Sequence, residues 1–251
     1  MEKLTAIIPV GNEEHNIRAV LESVGFADEI MVVDSLGTDK TIEIAKEYTD
    51  FIIQRQYIYS ASQKNWAIPL GNIQWILLVD ADERVTPELR DEIIELLKNP
   101  KKDIVGYWIY RTNYFMGKQI KFSGLKNDKV VRLFKKDFCK YEEKHVHAEI
   151  IANGKLSYLK NKFIHNTYTN INDHITKLNR YAEWQAKDYD QKTGALTPYH
   201  FFIKPTWGFF KHYIIQAGFR DGKRGFFISW FRMYAILMRY VKLWLLRKNL
   251  K

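Results

Sequence analysis

Trp75-Ile76-Leu77-Leu78-Val79-Asp80-Ala81-Asp82-Glu83-Arg84 is the stretch on which the fold turns. Its first half is apolar at every position, which describes a strand covered on both faces, as buried parallel strands are. Short apolar runs also occupy Leu4–Val10, Glu29–Asp34 and 50–53, and amphipathic stretches near 16–24, 38–48 and 60–70 separate them. Thr38 and Thr86 are suited to cap helices, the second with Pro87 at the first helical position. Strands alternating with helices imply right-handed βαβ units and hence an α/β three-layer sandwich with a mostly parallel, Rossmann-like central sheet. From about 103 onward the runs 105–111, Lys129–Lys135, 146–151 and 158–164 have short connections, which predicts an antiparallel extension. A long helix is expected over 172–192, with Ile175, Leu178, Tyr181, Ala182 and Gln185 along one face. At 251 residues and 46% hydrophobic, the chain can bury one large core with an appendage. A single cysteine, Cys139, excludes a disulfide framework and a cysteine zinc cluster and fits a reducing compartment. Met1-Glu2-Lys3 runs straight into a strand, so no signal peptide is expected.

In an open parallel sheet, ligands bind at the carboxyl ends of the strands, and the polar residues of this chain gather there. Asn12-Glu13-Glu14 follow the first strand, Asp34 and Thr38-Asp39 the second, and Asp80-Ala81-Asp82-Glu83 the fourth. Asn12 and Glu14 read equally well as a helix cap and its acidic first turn. The pair Asp80 and Asp82 reads differently, because residues i and i+2 of an extended chain share a face. Two carboxylates that close repel unless a cation lies between them, and hard oxygens with few other ligands suit Mg²⁺ or Mn²⁺. No glycine-rich dinucleotide fingerprint follows the first strand and no P-loop occurs anywhere, which removes dinucleotide oxidoreductases and P-loop NTPases.

Taken together, Asn12-Glu13-Glu14, Asp34-Ser35 leading to Gly37-Thr38-Asp39, Gln63-Lys64-Asn65 and Asp80-Ala81-Asp82-Glu83-Arg84 resemble family 2 glycosyltransferases of GT-A fold. Asn113-Tyr114-Phe115-Met116-Gly117, Val131-Arg132-Leu133-Phe134, Val146-His147, Leu178-Asn179-Arg180-Tyr181 and Gly218-Phe219-Arg220-Asp221-Gly222 resemble a narrower branch, the bacterial lipopolysaccharide core β-1,4-glucosyltransferases. The resemblance implies that Pro9, Asn12 and Glu13 line a nucleotide pocket and that Asp34 hydrogen-bonds a uracil ring. It implies Lys64 near the base or the phosphates, Asp80 at the ribose, and Asp82, with Asp80 beside it, on the metal that bridges the diphosphate. Leu36 stands where the family's D-S-G-S-T-D loop has glycine. The implied layout is a catalytic domain over 1–170, with its nucleotide-sugar half at 1–100 and acceptor half at 101–170, followed by a helical region at 171–251.

Transfer from a nucleotide sugar needs charge neutralisation on the leaving diphosphate and a carboxylate that takes the proton of the acceptor hydroxyl. A single in-line displacement inverts the anomeric centre. The base is expected in the second half, at Glu149 first and Asp128 second; if Glu149 lay on a strand, it would face away from a residue one position earlier. His145 and His147 alternate on one face and read as a pocket or surface pair. Arg132 is open between a phosphate partner and a strand-edge arginine.

The net charge of +10 is unevenly placed. Residues 1–199 hold 28 basic and 28 acidic side chains, whereas 200–251 hold 11 Lys and Arg against one acid, Asp221, with 14 of the 37 aromatics. A span over 226–246 fails on energy. Arg232, Arg239 and Lys242 would together cost about 7.5–10 kcal/mol, against about 3–6 kcal/mol returned by the aliphatic and Phe residues. The three cations fall on one arc of a helix, which predicts an interfacial helix on an anionic leaflet; the alternative is a helix packed on the body with its arginines in solvent. The expected partners are therefore a nucleotide sugar, with a UDP-sugar favoured by resemblance, a lipid-linked glycan acceptor, and the cytoplasmic face of the inner membrane through 200–251. A polyprenyl-phosphate sugar synthase would use the same motifs. A basic nucleic-acid-binding protein is the reading from another class, opposed by the acidic strand ends.

Overall fold

The computed structural model describes residues 1–146, 148–167 and 170–250. They form two compact units, one of 1–112 with 129–165, the other of 113–128 with the described residues from 166 on. In chain order the first half contains β1 (Leu4–Val10), α1 (Ile17–Ser23), β2 (Glu29–Asp34), α2 (Thr41–Ala45), β3 (Ile52–Gln54), α3 (Ser60–Ala67), β4 (Trp75–Leu78), β5 (Glu83–Val85) and α4 (Pro87–Lys98). Strands β6 (Ile104–Phe115), β7 (Lys118–Gln119), β8 (Lys129–Lys135), β9 (Cys139–Tyr141), β10 (Ile150–Ala152) and β11 (Lys155–Thr167) follow. The main sheet has the order β3-β2-β1-β4-β8-β6-β11-β5. It is parallel over β3, β2, β1 and β4. Beyond β4, strand β8 runs antiparallel to both β4 and β6, and β5 antiparallel to β11.

The layers follow from the two-residue period of the strands. Leu4, Ala6, Ile8 and Val10 of β1 pack with Val20 and Leu21 of α1 and with Leu89 and Ile93 of α4. Ile7 of the same strand packs on the other face with Met31, Val33 and the α3 residues Ala61 and Ala67. A sheet with an apolar core on each face is the three-layer α/β sandwich. Thr86 caps α4 as expected, its hydroxyl accepting from the Leu89 N–H at 3.2 Å. Thr38 does not cap α2. Asn12 Oδ1 accepts from the Thr38 N–H (2.7 Å), the Asn12 amide donates to the Thr38 hydroxyl (3.3 Å), and Asp39 accepts from the Thr41 N–H instead. The strand expected over 146–151 is confined to Ile150–Ala152, and His147 lies outside the described residues.

Strands β4, β5, β6 and β8 are joined by buried charge as well as by their ladders. Arg132 sits on β8, an interior strand, and is buried, so it is not a strand-edge arginine. Its guanidinium donates to the Asp80 carboxylate, to Glu83 Oε1 (3.1 Å) and to the Tyr141 hydroxyl (3.0 Å). Arg111 of β6 reaches Glu83 Oε1 at 3.2 Å, and Lys64 of α3 reaches Asp80 Oδ1 at 2.8 Å. Glu83 is completely buried.

In the second unit, α5 (Ile171–Asp190) and α7 (Lys223–Arg247) pack on one another and α6 (Lys204–Phe210) on α7. Three cations of α7 pair with α5. Arg239 donates to Gln185 (2.7 Å), Lys242 to Glu183 (2.7 Å) and Arg247 to Asp190 (2.7 Å). Only Arg232 of the expected basic arc is exposed. His174 of α5 is buried with the Phe231 ring edge-on at 4.5 Å. Burial, helped by nearby Lys177, pushes its imidazole down to about 4.

Two outcomes follow from these interiors. Arg132→Met removes the guanidinium that the Asp80 and Glu83 carboxylates share and should cost about 3–5 kcal/mol in chemical denaturation. His174 is neutral when folded and takes up a proton on unfolding below about 6.5, so its contribution is complete above that pH and is lost as pH falls toward 4. The melting temperature should fall across that window, and less steeply in His174→Leu.

Candidate active site

The first loop of the site joins the ends of β1 and β2. Pro9 lies in β1 opposite Val33. Asn12, exposed just beyond, brackets Thr38 rather than capping α1, whose N-cap is Asn16. The Glu13 N–H donates to the Thr41 hydroxyl at 2.8 Å, and its carboxylate accepts from the Asn16 amide at 2.8 Å. Asp34 closes β2 and is fully buried. One of its oxygens accepts from the Gly37 N–H (3.0 Å) and the other from the Gln54 amide (2.8 Å). Leu36 has φ 61°, the left-handed conformation that glycine supplies without strain, at a cost of about 1–2 kcal/mol for an L-residue. Gly37 is held by space, since a Cβ there would lie 2.7 Å from the Gly11 carbonyl oxygen.

The three residues Gln63-Lys64-Asn65 divide the work of α3. Gln63 reaches Ser35 and the Arg55 carbonyl, both at 3.5 Å. Lys64 pairs with Asp80, and Asn65 makes a double hydrogen bond with the Tyr141 backbone (2.7 and 3.0 Å). The site loop after β2, the acid after β4 and strand β9 are thereby tied to one turn of helix.

Asp80 and Asp82 do not share a face. Between them the chain turns, the Glu83 N–H donating to the Asp80 carbonyl at 2.9 Å, so the extended geometry that would align them is absent. Asp80 goes inward to Lys64 and Arg132. Burial alone would raise its carboxyl, but Arg132, Lys64 and Arg111 outweigh that and hold it far below the usual carboxylate range. Asp82 stays half-buried, 3.5 Å from His165 Nε2. The antiparallel register of β11 on β5 sets this pair, because it places His165 opposite Glu83. Arg84 fastens the turn to the first loop, donating to the Ala81 carbonyl (2.6 Å) and to Asn16 (3.2 Å). A carboxylate and an imidazole form a donor set that a divalent Mn²⁺ or Mg²⁺ accepts while keeping positions for water and phosphate oxygens. No group of three or more His, Cys, Asp or Glu suited to a metal occurs among the described residues.

Of the two candidate bases, Glu149 is exposed and precedes β10 rather than lying in it; its N–H donates to Glu142 at 3.3 Å. Asp128 belongs to the second unit, is half-buried, and accepts from the Asn113 amide at 2.9 Å. His145 packs edge-on against Tyr59 at 4.9 Å. Sequence reasoning missed His165 and Arg111, and it quoted Glu83 in the motif after the fourth strand without giving it a role. His165 stands more than 80 positions from Asp82 and only strand register brings it close, while Arg111 carried no motif of its own.

The model of the glycosyl transferase family 2 matches residues 5–160. An uncharacterized glycosyltransferase of Rickettsia felis is 31% identical over 97% of this chain and 90% of its own length. The lipopolysaccharide core biosynthesis glycosyltransferase LpsC of Rhizobium meliloti is 26% identical over 89% of this chain and 85% of its own. Among solved structures, glucosyl-3-phosphoglycerate synthase of Mycobacterium tuberculosis, in complex with Mg²⁺ and uridine diphosphate, overlaps 46% of this chain and 44% of its own at 17% identity and TM-score 0.37. The sandwich with acids at its strand ends, the matched model and the near full-length relatives agree: the chain belongs to glycosyl transferase family 2.

Proposed function

We propose that the protein is an inverting, metal-dependent hexosyltransferase that moves a sugar from a UDP-sugar to a lipid-linked acceptor such as lipopolysaccharide core. The observation that carries the metal-dependent part is Asp82, half-buried at the carboxyl end of the central parallel strands with His165 beside it. A Mg²⁺ or Mn²⁺ held there supplies the Lewis acidity that neutralises the leaving diphosphate. Asp82 carries more weight than Asp80 as the metal carboxylate, because Lys64 and Arg132 already neutralise Asp80. Pro9, Asn12, Glu13 and Asp34 form the nucleotide side, with Asp34 held rigid by its two hydrogen bonds. Asp80 and Lys64 lie between the nucleotide and the diphosphate.

In the reaction, the acceptor oxygen bonds to the anomeric carbon as the bond to the diphosphate breaks, and the bonding pair leaves with the diphosphate. The acceptor proton goes to Glu149 or Asp128. A half-buried carboxylate oriented by an amide suits a base better than an exposed one, which brings Asp128 level with Glu149. The lipid-linked acceptor draws support from the LpsC relative and from the basic, aromatic stretch at 200–251. No helix among the described residues is long and apolar enough to cross a membrane. The place proposed for the enzyme is accordingly the surface of the inner membrane on its cytoplasmic face.

Asp82→Ala should lower release of nucleoside diphosphate by at least about a hundredfold and abolish the Mn²⁺-dependent thermal shift given by UDP, with the circular dichroism spectrum unchanged. An undiminished Mn²⁺-dependent shift would remove the site. Glu149→Gln and Asp128→Asn, assayed in parallel, identify the base as the one that loses turnover while keeping the UDP-dependent shift.

A further inference from the structure

Between Phe209 and Trp230 the second unit carries a surface made of rings in contact. Phe209 touches Tyr213 (5.3 Å between centroids) and Phe226 (5.5 Å), Tyr213 touches Phe219 (6.4 Å), and Phe226 touches Phe227 (5.9 Å) and Trp230 (6.4 Å). These are not core residues. Phe219 is 51% exposed, Phe227 49% and Trp230 48%. A pocket of about 270 Å³ opens within this surface, lined by Tyr213, Gly222, Lys223, Phe226 and Phe227. A contiguous exposed apolar surface of this kind marks a contact site rather than ordinary surface scatter.

Charge narrows what can cover it. Lys211, Arg220 and Lys223 are exposed within the same stretch. Its one acid, Asp221, is occupied by the loop at 121–123, accepting from the Lys121 and Phe122 N–H groups (3.0 Å each) and from the Ser123 hydroxyl (3.1 Å). A second copy seated here through a two-fold axis would bring this basic stretch against itself. An anionic leaflet offers the complementary charge, and Trp, Tyr and Phe beside lysines are the side chains that settle at the headgroup boundary. The face also differs from the one that helical periodicity picks out in α7, because Arg239 and Lys242, two of that arc's three cations, are bound to α5.

We propose that the ring face at 209–230, with Lys211, Arg220 and Lys223, is the surface through which the protein seats on an anionic phospholipid bilayer. This deepens the membrane-surface location proposed above and rests on it for the choice of occupant. The paired cations of α7 brace the unit from within and take no part in lipid contact.

The test is co-sedimentation of the full chain with phosphatidylcholine vesicles, with and without phosphatidylglycerol. The wild type should bind the anionic vesicles. Phe227→Ser with Trp230→Ser should weaken that binding by about tenfold. Lys211→Gln with Lys223→Gln should weaken it by about tenfold as well, an effect that disappears in added salt. Lys242→Gln removes a charge off the face and should leave binding unchanged. Quenching of wild-type tryptophan fluorescence by brominated lipid reads insertion without any variant. Four results would each overturn the proposal: no vesicle binding or quenching, binding indifferent to both pairs, Lys242→Gln as harmful as the face variants, or a concentration-dependent dimer in light scattering that the Phe227/Trp230 pair abolishes. The UDP-dependent thermal shift of the same variants reports donor binding separately, so a failed membrane face leaves the donor reading standing.

Discussion

Arg132 is buried on β8 with Asp80 and Glu83 against it, and the conformation of the site follows from what that burial demands. A guanidinium taken out of water costs several kcal/mol unless carboxylates and hydrogen bonds replace its hydration. The replacements come from the turn after β4, from β5 and from the Tyr141 hydroxyl. The chain therefore cannot pair β4 with β8 without also folding the Asp80–Glu83 turn inward. Once Asp80 points in, Asp82 is left on the other side of the turn, beside His165. The separation of the two carboxylates is thus imposed by the antiparallel half of the sheet, although both acids follow a strand of the parallel half.

The parallel half was legible because its causes are local. Leu4–Val10 and Glu29–Asp34 fold as strands with the bounds their apolar runs predict, and α4 begins at the Thr86-Pro87 signal. What stayed hidden depends on pairing between distant segments. His165 reaches Asp82 only through the register of β11 on β5, and nothing in its own neighbourhood marks it. Arg132 could be a phosphate partner or a strand-edge arginine until β8 is known to lie between β4 and β6. The extended reading of Asp80-Ala81-Asp82 failed for the same reason, since the hydrogen bond that turns the chain is supported by partners on other strands.

The loop after β2 shows a local rule broken and its consequences contained. Leu36 adopts a positive φ in the place where the family pattern has glycine, while Gly37 next to it keeps the close approach to Gly11. Strain of this kind persists only where neighbours fix the backbone on both sides. Here Asp34 holds the Gly37 N–H, and Asn12 holds both the N–H and the hydroxyl of Thr38. The Leu36 side chain is presented to solvent, 53% exposed.

Charge along the C-terminal region is sorted by structure into three uses that a sum over the sequence merges. Arg239, Lys242 and Arg247 of α7 are spent on α5, the exposed Lys211, Arg220 and Lys223 lie among aromatic rings, and the single acid turns toward a loop a hundred positions earlier. That loop begins at Asn113 and ends at Asp128, whose side chains meet at 2.9 Å, and it contains four residues with positive φ: Met116, Gly117, Ser123 and Gly124. Its first part closes on itself as the β6–β7 hairpin, and ordering the rest costs conformational entropy that contacts from outside the segment help to offset. Asp221 accepts two of its N–H groups and a hydroxyl, His212 meets the Ser123 carbonyl at 3.1 Å, and Arg224 donates to the Met116 carbonyl at 3.2 Å. All three anchors come from the segment that bears the exposed ring face. The region whose bulk charge looks like a simple basic tail is therefore also the scaffold on which the loop carrying Asp128 is built.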